Sequence, residues 1–148
     1  MAETISQAER ARLARAFMEA LPHAMALGLD VQEVADGRAV IVLPYDDRLV
    51  GDPGTGVIHG GAVSTLMDTC GGAAVMSHPA GLHGTATLDL RIDYMRPATP
   101  GQAIRAEAVC YNVTRSVAFV RAVATDDDSD RPVATATGAF TVEGGGKS

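Results

Sequence analysis

Residues 56–74, GVIHGGAVSTLMDTCGGAA, hold one carboxylate, Asp68, in a run that otherwise has the character of a protein core. An unperturbed carboxyl group titrates near ~4, so at neutral pH it is ionised and can act as a base or a nucleophile. If the run is a helix, positions three and four away share the acid's face. Those are Ser64, Thr65, Gly71 and Gly72, all small, while Val63, Leu66 and Met67 point elsewhere. A buried charge is costly unless it is paired or hydrogen-bonded. Hydroxyls and open space are all the run offers, so a ligand or a second chain is expected to complete the surroundings. The plainer alternative is a structural acid bonded to those hydroxyls.

His59, Gly60 and Gly61 stand where this helix starts. The first turn of a helix presents unpaired N–H groups at a positive dipole end, which suits a developing oxyanion. Glycine there lets a ligand approach the backbone closely, and His59 either orients the loop or contacts the ligand. Gly60 and Asp68 lie eight residues apart, or ~12 Å along one helix. An oxyanion donor and an attacking group must both come within about 3 Å of the reacting centre. One helix cannot supply both to one carbonyl, whereas two neighbouring copies can. A site shared between subunits follows if both elements are catalytic.

The elements that must hold these residues can be read from periodicity. Ser6–Leu21 reads as an amphipathic helix with Leu13, Phe17 and Leu21 at four-residue spacing, a Ser6/Glu9 capping box, and Pro22 as its stop. Two short strands flank Asp36-Gly37, a strong hairpin signal. DDRLVGDPGTG, residues 46–56, is a loop by its Gly, Pro and Asp content. A buried helix then covers 61–76 and is broken by the HPAGLHG run. In TATLDLRIDYM, residues 85–95, Leu88, Leu90, Ile92 and Tyr94 face one way and Thr87, Asp89, Arg91 and Asp93 the other. Three more strands follow, turning at MRPATPGQ, Thr114-Arg115 and DDDSDR, before a loose GGGKS tail at 144–148.

Helix, hairpin, buried helix and four strands describe an α+β chain, an antiparallel sheet wrapped around one central helix. The strand–helix alternation of a doubly wound fold is absent. At 148 residues the chain is expected to be one domain. With 47% hydrophobic residues, no Trp and three Phe, its core must be built from Ala, Val, Leu, Ile and Met.

Composition also excludes partners. The formal charge of −6 with scattered basic residues argues against nucleic acid, which is held by clustered Lys and Arg. No apolar run reaches the ~18 residues of a membrane span, and the charged AETISQAERAR start is no secretion signal. Two cysteines without a CxxC pair argue against a disulfide framework or a zinc site, and Cys70 reads as a core residue. A cytoplasmic protein is expected. Asp126, Asp128 and Asp130 begin like a calcium loop, but Thr137 stands where a bidentate Glu belongs; a solvated turn is the expectation. GTGVIHGG lacks the Gly-Lys-Ser/Thr ending of a phosphate loop.

The run GDPGTGVIHGGAVSTLMDTCGGAA, followed by TATLDLRIDYMRPA, resembles the hotdog-fold thioesterases of the phenylacetic-acid-degradation (PaaI) type over roughly residues 30 to 143. The resemblance implies a hotdog fold, dimers that often pair into tetramers, and hydrolysis of acyl-coenzyme A thioesters without a metal or other cofactor. By position it implies that the Gly60 N–H polarises the thioester carbonyl with His59 beside it. Asp68 of the partner copy would serve as nucleophile or general base, and Thr87 would help place the water. Gly61 and Thr65 would line the substrate site. Arg96 and Arg115, with Arg91, are candidates for coenzyme A phosphates, the plainer reading of each being an ordinary surface arginine. Asp52 departs from the family, which often has Asn in a GNP-like run; an ionised Asp cannot donate a hydrogen bond, which implies weaker or differently tuned activity if that side chain holds the carbonyl or the water.

Two other classes fit such a fold. A non-catalytic acyl-CoA sensor usually carries a DNA-binding segment, and the residues ahead of the sheet are too few for one. A hotdog dehydratase pairs a catalytic His with a differently placed acid.

Overall fold

The computed structural model describes residues 6–80 and 83–143; the expected tail at 144–148 and part of the HPAGLHG break lie outside them. Two helices come first, α1 (Gln7–Glu19) and α2 (Pro22–Ala26), then the hairpin β1 (Asp30–Ala35) and β2 (Arg38–Leu43). Asp36 and Gly37 turn it with φ of 50° and 83°, the left-handed pair that a two-residue type I′ connection requires. A 3-10 turn, Asp47–Leu49, leads to a small hairpin, β3 (Val50–Asp52) and β4 (Val57–Ile58), where only a loop is expected from composition. Then come α3 (Gly60–Met76), β5 (Thr87–Tyr94), β6 (Ile104–Val113), β7 (Val117–Thr125) and β8 (Ala134–Thr141).

Six strands form one antiparallel sheet in the order β1-β2-β6-β7-β8-β5. The sheet is wrapped around α3, which touches every strand of it, as the resemblance implies. The sheet's inner face explains how the helix sits so deep. Ala39, Ala106, Ala108, Ala118, Ala122, Ala124 and Ala136 are all buried on these strands. A face of methyl groups lets the helix approach closely, and no large aromatic is needed to fill the gap. Phe140 is the large buried exception. A Cβ on Gly71 of α3 would stand 2.9 Å from its ring, so the missing side chain is the socket for that ring. Cys70 is fully buried, donates its S–H to the carbonyls of Ala39 and Ala106, and burial pushes its thiol up to about 12.

Three local expectations are corrected. Helix α1 stops at Glu19, and Pro22 opens α2 at its first turn, a position where its missing N–H costs nothing. Ser6 accepts from the Glu9 N–H, but the Glu9 carboxylate pairs with Arg12. Leu13 is 49% exposed, while Met18 is buried and Phe17 and Leu21 pack against the core. The third is Asp126, whose side chain is fully buried rather than solvated. No described helix is long and apolar enough to cross a membrane.

Gly71→Ala should lower unfolding stability by ~1–3 kcal/mol, because the buried Phe140 ring cannot swing away. Gly72→Ala meets no atom within 4 Å, and helix propensity should make it stabilising by up to ~1 kcal/mol. Urea titration of both variants checks the pair. A loss at position 72 would reveal a neighbour that the single chain lacks.

Candidate active site

Helix α3 begins at Gly60 with His59 as its N-cap. The His59 Nδ1 accepts from the Gly61 N–H at 2.8 Å, and the His59 carbonyl accepts from the Ala62 N–H at 3.0 Å. An acceptor Nδ1 leaves the ring hydrogen of neutral imidazole on Nε2. No acceptor among the described residues meets the Gly60 N–H. The capping histidine thus consumes its neighbour's amide and leaves Gly60's open at the positive end of the helix. The backbone of β3 runs so close that a Cβ on Gly51 would lie 2.8 Å from the His59 Cα. That contact and the His59 N–H, donated to the Leu49 carbonyl at 2.8 Å, hold the cap in place.

Asp68 lies two turns on, partly exposed, with the half-buried Ser64, Thr65 and Gly72 three and four positions away, whereas Gly71, expected on the same face, is buried against the Phe140 ring. Its Oδ1 accepts from the Thr87 hydroxyl of the same chain at 2.6 Å, and no described residue donates to its Oδ2. Strand alternation alone would put Thr87 on the face opposite Leu90 and Ile92. The pairing of β5 with β8 slips between Thr87 and Asp89, where Leu88 is the extra residue. Such a bulge switches every residue before it to the other face. Leu88 is therefore 58% exposed, and Thr87 turns to the helix that Leu90 and Ile92 also face.

The far end of β5 holds the helix a second time. The Tyr94 hydroxyl donates to the Gly60 carbonyl at 2.9 Å, and its ring lies over the position where a Gly60 Cβ would project. Periodicity gave no sign of this contact; Tyr94 reads as one more apolar residue on an alternating strand. The Ser64 and Thr65 hydroxyls both donate to the Gly61 carbonyl, at 2.9 and 3.0 Å.

The remaining candidates are placed differently. Asp52 accepts from the Gly54 N–H at Oδ1 (3.0 Å) and from the Thr55 hydroxyl at Oδ2 (2.8 Å). Both of its oxygens thus build the β3–β4 turn, where an amide would offer only one acceptor. Arg96 is bidentate to Asp126 (2.8 and 2.7 Å) and donates also to the carbonyls of Arg131 and Pro97. With those bonds made, its geometry is that of a clamp on the loop after β5 and offers little to a phosphate. Arg115 is exposed in the β6–β7 turn, and Arg91 reaches Asp93. The Arg96 guanidinium, aided by the backbone N–H groups of Thr99 and Asp128, holds the Asp126 carboxyl well below the usual carboxylate range.

A groove of about 290 Å³ opens beside the helix start, bordered by His59, Gly61 and Thr65 and by residues of α2 and β3. A larger hollow of about 560 Å³ lies over β6 and β7, shares no residue with the helix start, and has Arg105, Glu107 and Arg121 on its walls. The smaller groove is the one next to the open amide.

Arg96→Ala would strand a buried carboxylate and should cost ~3–5 kcal/mol at pH 7. The folded pKa of Asp126 is lowered, so this stabilisation is present above the unfolded value of ~4 and is lost as pH falls below it. Wild-type and variant stabilities, compared by urea titration, should therefore converge as pH drops from 5 toward 2. A parallel offset over that range would contradict the assignment.

A family model described as the thioesterase superfamily matches residues 55–133. A Halobacterium salinarum protein carrying an esterase name is 37% identical over 123 residues, covering 78% of this chain and 81% of its own. The medium/long-chain acyl-CoA thioesterase YigI of Escherichia coli K12 is 24% identical over 139 residues, covering 85% and 88%. Among solved structures, a mutant form of the phenylacetic acid degradation protein PaaI from Thermus thermophilus superposes with a TM-score of 0.72. It is 30% identical, with 82% of this chain and 98% of that one covered.

Proposed function

The chain belongs to the thioesterase superfamily and has the hotdog fold of its PaaI-type members, and we propose that it hydrolyses acyl-coenzyme A thioesters at a site shared by two copies. The observation that carries this reading is the single open amide, Gly60 N–H, at the start of the helix that also bears Asp68. The name of the YigI relative supports acyl-CoA as the substrate class.

In this mechanism the thioester carbonyl oxygen accepts from the Gly60 N–H, at a helix end where negative charge is stabilised as the tetrahedral intermediate forms. The free Oδ2 of the partner subunit's Asp68 attacks the carbonyl carbon or takes the proton from an attacking water. Thr87 holds the other oxygen of that carboxylate and so fixes which lone pairs face the substrate. Collapse of the intermediate expels coenzyme A as its thiolate. With Asp68 as base, the proton it took from water passes to the thiolate and the free acid leaves. With Asp68 as nucleophile, an acyl anhydride of Asp68 remains, which a water molecule hydrolyses to the acid and the restored carboxylate, the proton released going to the thiolate. Side chains, backbone and water supply every step, without a metal or other cofactor. Asp52 acts through the turn it builds; no hydrogen bond to substrate is asked of it.

Strand β5 offers the seam for a second copy. It is an edge strand of the sheet, and Leu88, Tyr94 and Met95 beside that edge are each more than half exposed. Long edges with apolar neighbours invite pairing with another chain. Antiparallel pairing of two β5 strands about a twofold axis extends the sheet and sets the two α3 helices side by side, each helix start toward the other's carboxylate.

Coenzyme A release, followed with a thiol reagent over a panel of acyl-CoAs, tests the reaction. Asp68→Asn should lower turnover ~10²–10⁴-fold, and undiminished turnover would remove the mechanism. Gly60→Pro deletes the N–H while keeping the helix, since proline suits the first helical position and His59 already has the extended ψ of 135° that a following proline demands. It should cost ~10²–10³-fold. Mixing the two inactive variants under subunit exchange should restore about a quarter of wild-type activity, the share of intact sites in a randomly paired twofold dimer. No recovery, despite demonstrated exchange, would mean that one chain carries the whole site.

A further inference from the structure

We infer that the groove between α2 and the start of α3 is the subsite for the acyl tail, and that it takes an uncharged aliphatic chain of medium length. The inference rests on the thioesterase reading and adds to it the substituent that this groove selects. His59 and Gly61 belong both to the groove wall and to the helix start, so a thioester whose carbonyl sits on the Gly60 N–H has the groove beside its carbonyl carbon. Two substituents leave that carbon, the acyl tail and the sulfur with its long polar extension, and the walls decide between them.

Leu27, Leu49 and Val50 are half-buried and face Ala62, which is buried. Of the four polar side chains on the wall, three have bonds to the protein itself and the fourth, His23, is exposed. His59 Nδ1 holds the Gly61 N–H, and the Thr65 hydroxyl hydrogen goes to the Gly61 carbonyl. The Arg48 guanidinium is bound to both Asp46 oxygens, with its shortest contact at 2.6 Å. It therefore brings compensated charge, and the part it can lend to a ligand is its methylene stem. Apart from the imidazoles of His23 and His59 at two points of the wall, the groove gives a phosphate or a pantetheine amide little to bond and gives carbon a place to leave water. A volume of about 290 Å³ is at the lower end of small-molecule pockets, adequate for a chain but small for a nucleotide.

The test narrows the groove from opposite walls and reads selectivity instead of activity. Val50→Phe on β3 and Leu27→Phe at the end of α2 should each lower the decanoyl-CoA to acetyl-CoA ratio of kcat/KM about tenfold or more. Acetyl-CoA, whose tail barely enters, should be the less affected of the two substrates. Leu27→Phe adds less bulk than Val50→Phe, so it remains informative if Val50→Phe folds poorly. A ratio unchanged in folded variants, or both substrates falling together, would overturn the inference. If the wild type releases coenzyme A from no acyl-CoA, the thioesterase reading fails separately. Calorimetric binding of decanoate then decides the groove: binding weakened by Val50→Phe supports it, and absent or unaffected binding overturns it.

Discussion

A straight helix is a ruler. In α3 the open amide and the carboxylate are eight residues apart on one rigid element, ~12 Å along its axis, and no side-chain rotation closes that distance. Intrahelical hydrogen bonds and the sheet around it keep the helix from bending to bring them together. In the proposed reaction the site is completed by a second copy, and the features around α3 fit that proposal. Its exposed face is a strip of small residues, its start leaves one donor unspent, and the strand lying nearest to both groups is the uncovered edge of the sheet.

Depth of burial and reactivity are separated on the same helix by which residue faces which way. Leu66, Met67, Cys70, Ala73 and Ala74 are sealed against a sheet paved with alanine, and the close approach gives the helix its rigidity. Asp68 stays partly exposed, with the small residues Ser64, Thr65 and Gly72 three and four positions away. β5 then ties the exposed face down at two points, Thr87 to Asp68 and Tyr94 to the Gly60 carbonyl. A strand that is itself an edge thus fixes the helix start and the acid relative to each other.

The loop after β5 is held by a different device. Arg96 binds groups 30 and 35 residues further along the chain, and the buried carboxylate of Asp126 gathers Arg96, Thr99 and the Asp128 N–H around one point. This ion pair pins the connection that follows Tyr94, so the hydroxyl on Gly60 is presented from a strand end that cannot fray. Its cost in desolvation is offset by the number of bonds made to the charge.

Short-range regularities were legible in the residues alone. Asp36-Gly37 announced its hairpin, the apolar run after Gly60 announced the central helix, and helical spacing put Asp68 on a face of small residues, because each of these depends on neighbours within a turn or a strand repeat. The antiparallel sheet followed from consecutive strands with short turns between them. What decided the rest was contact between distant segments. One inserted residue at Leu88 reverses the side on which Thr87 stands, and only the pairing of β5 with β8 reveals it. Proline after α1 looks like a stop until α2 is seen packed beyond it. Asp126 looks like one of several solvated acids until Arg96 is brought to it, and the open Gly60 amide is visible only when the His59 ring is found on Gly61. Local pattern sets which residues share an element. Which amides, carboxylates and edges are left unsatisfied depends on the whole fold, since a hydrogen bond or an ion pair is made by whatever the chain brings within reach.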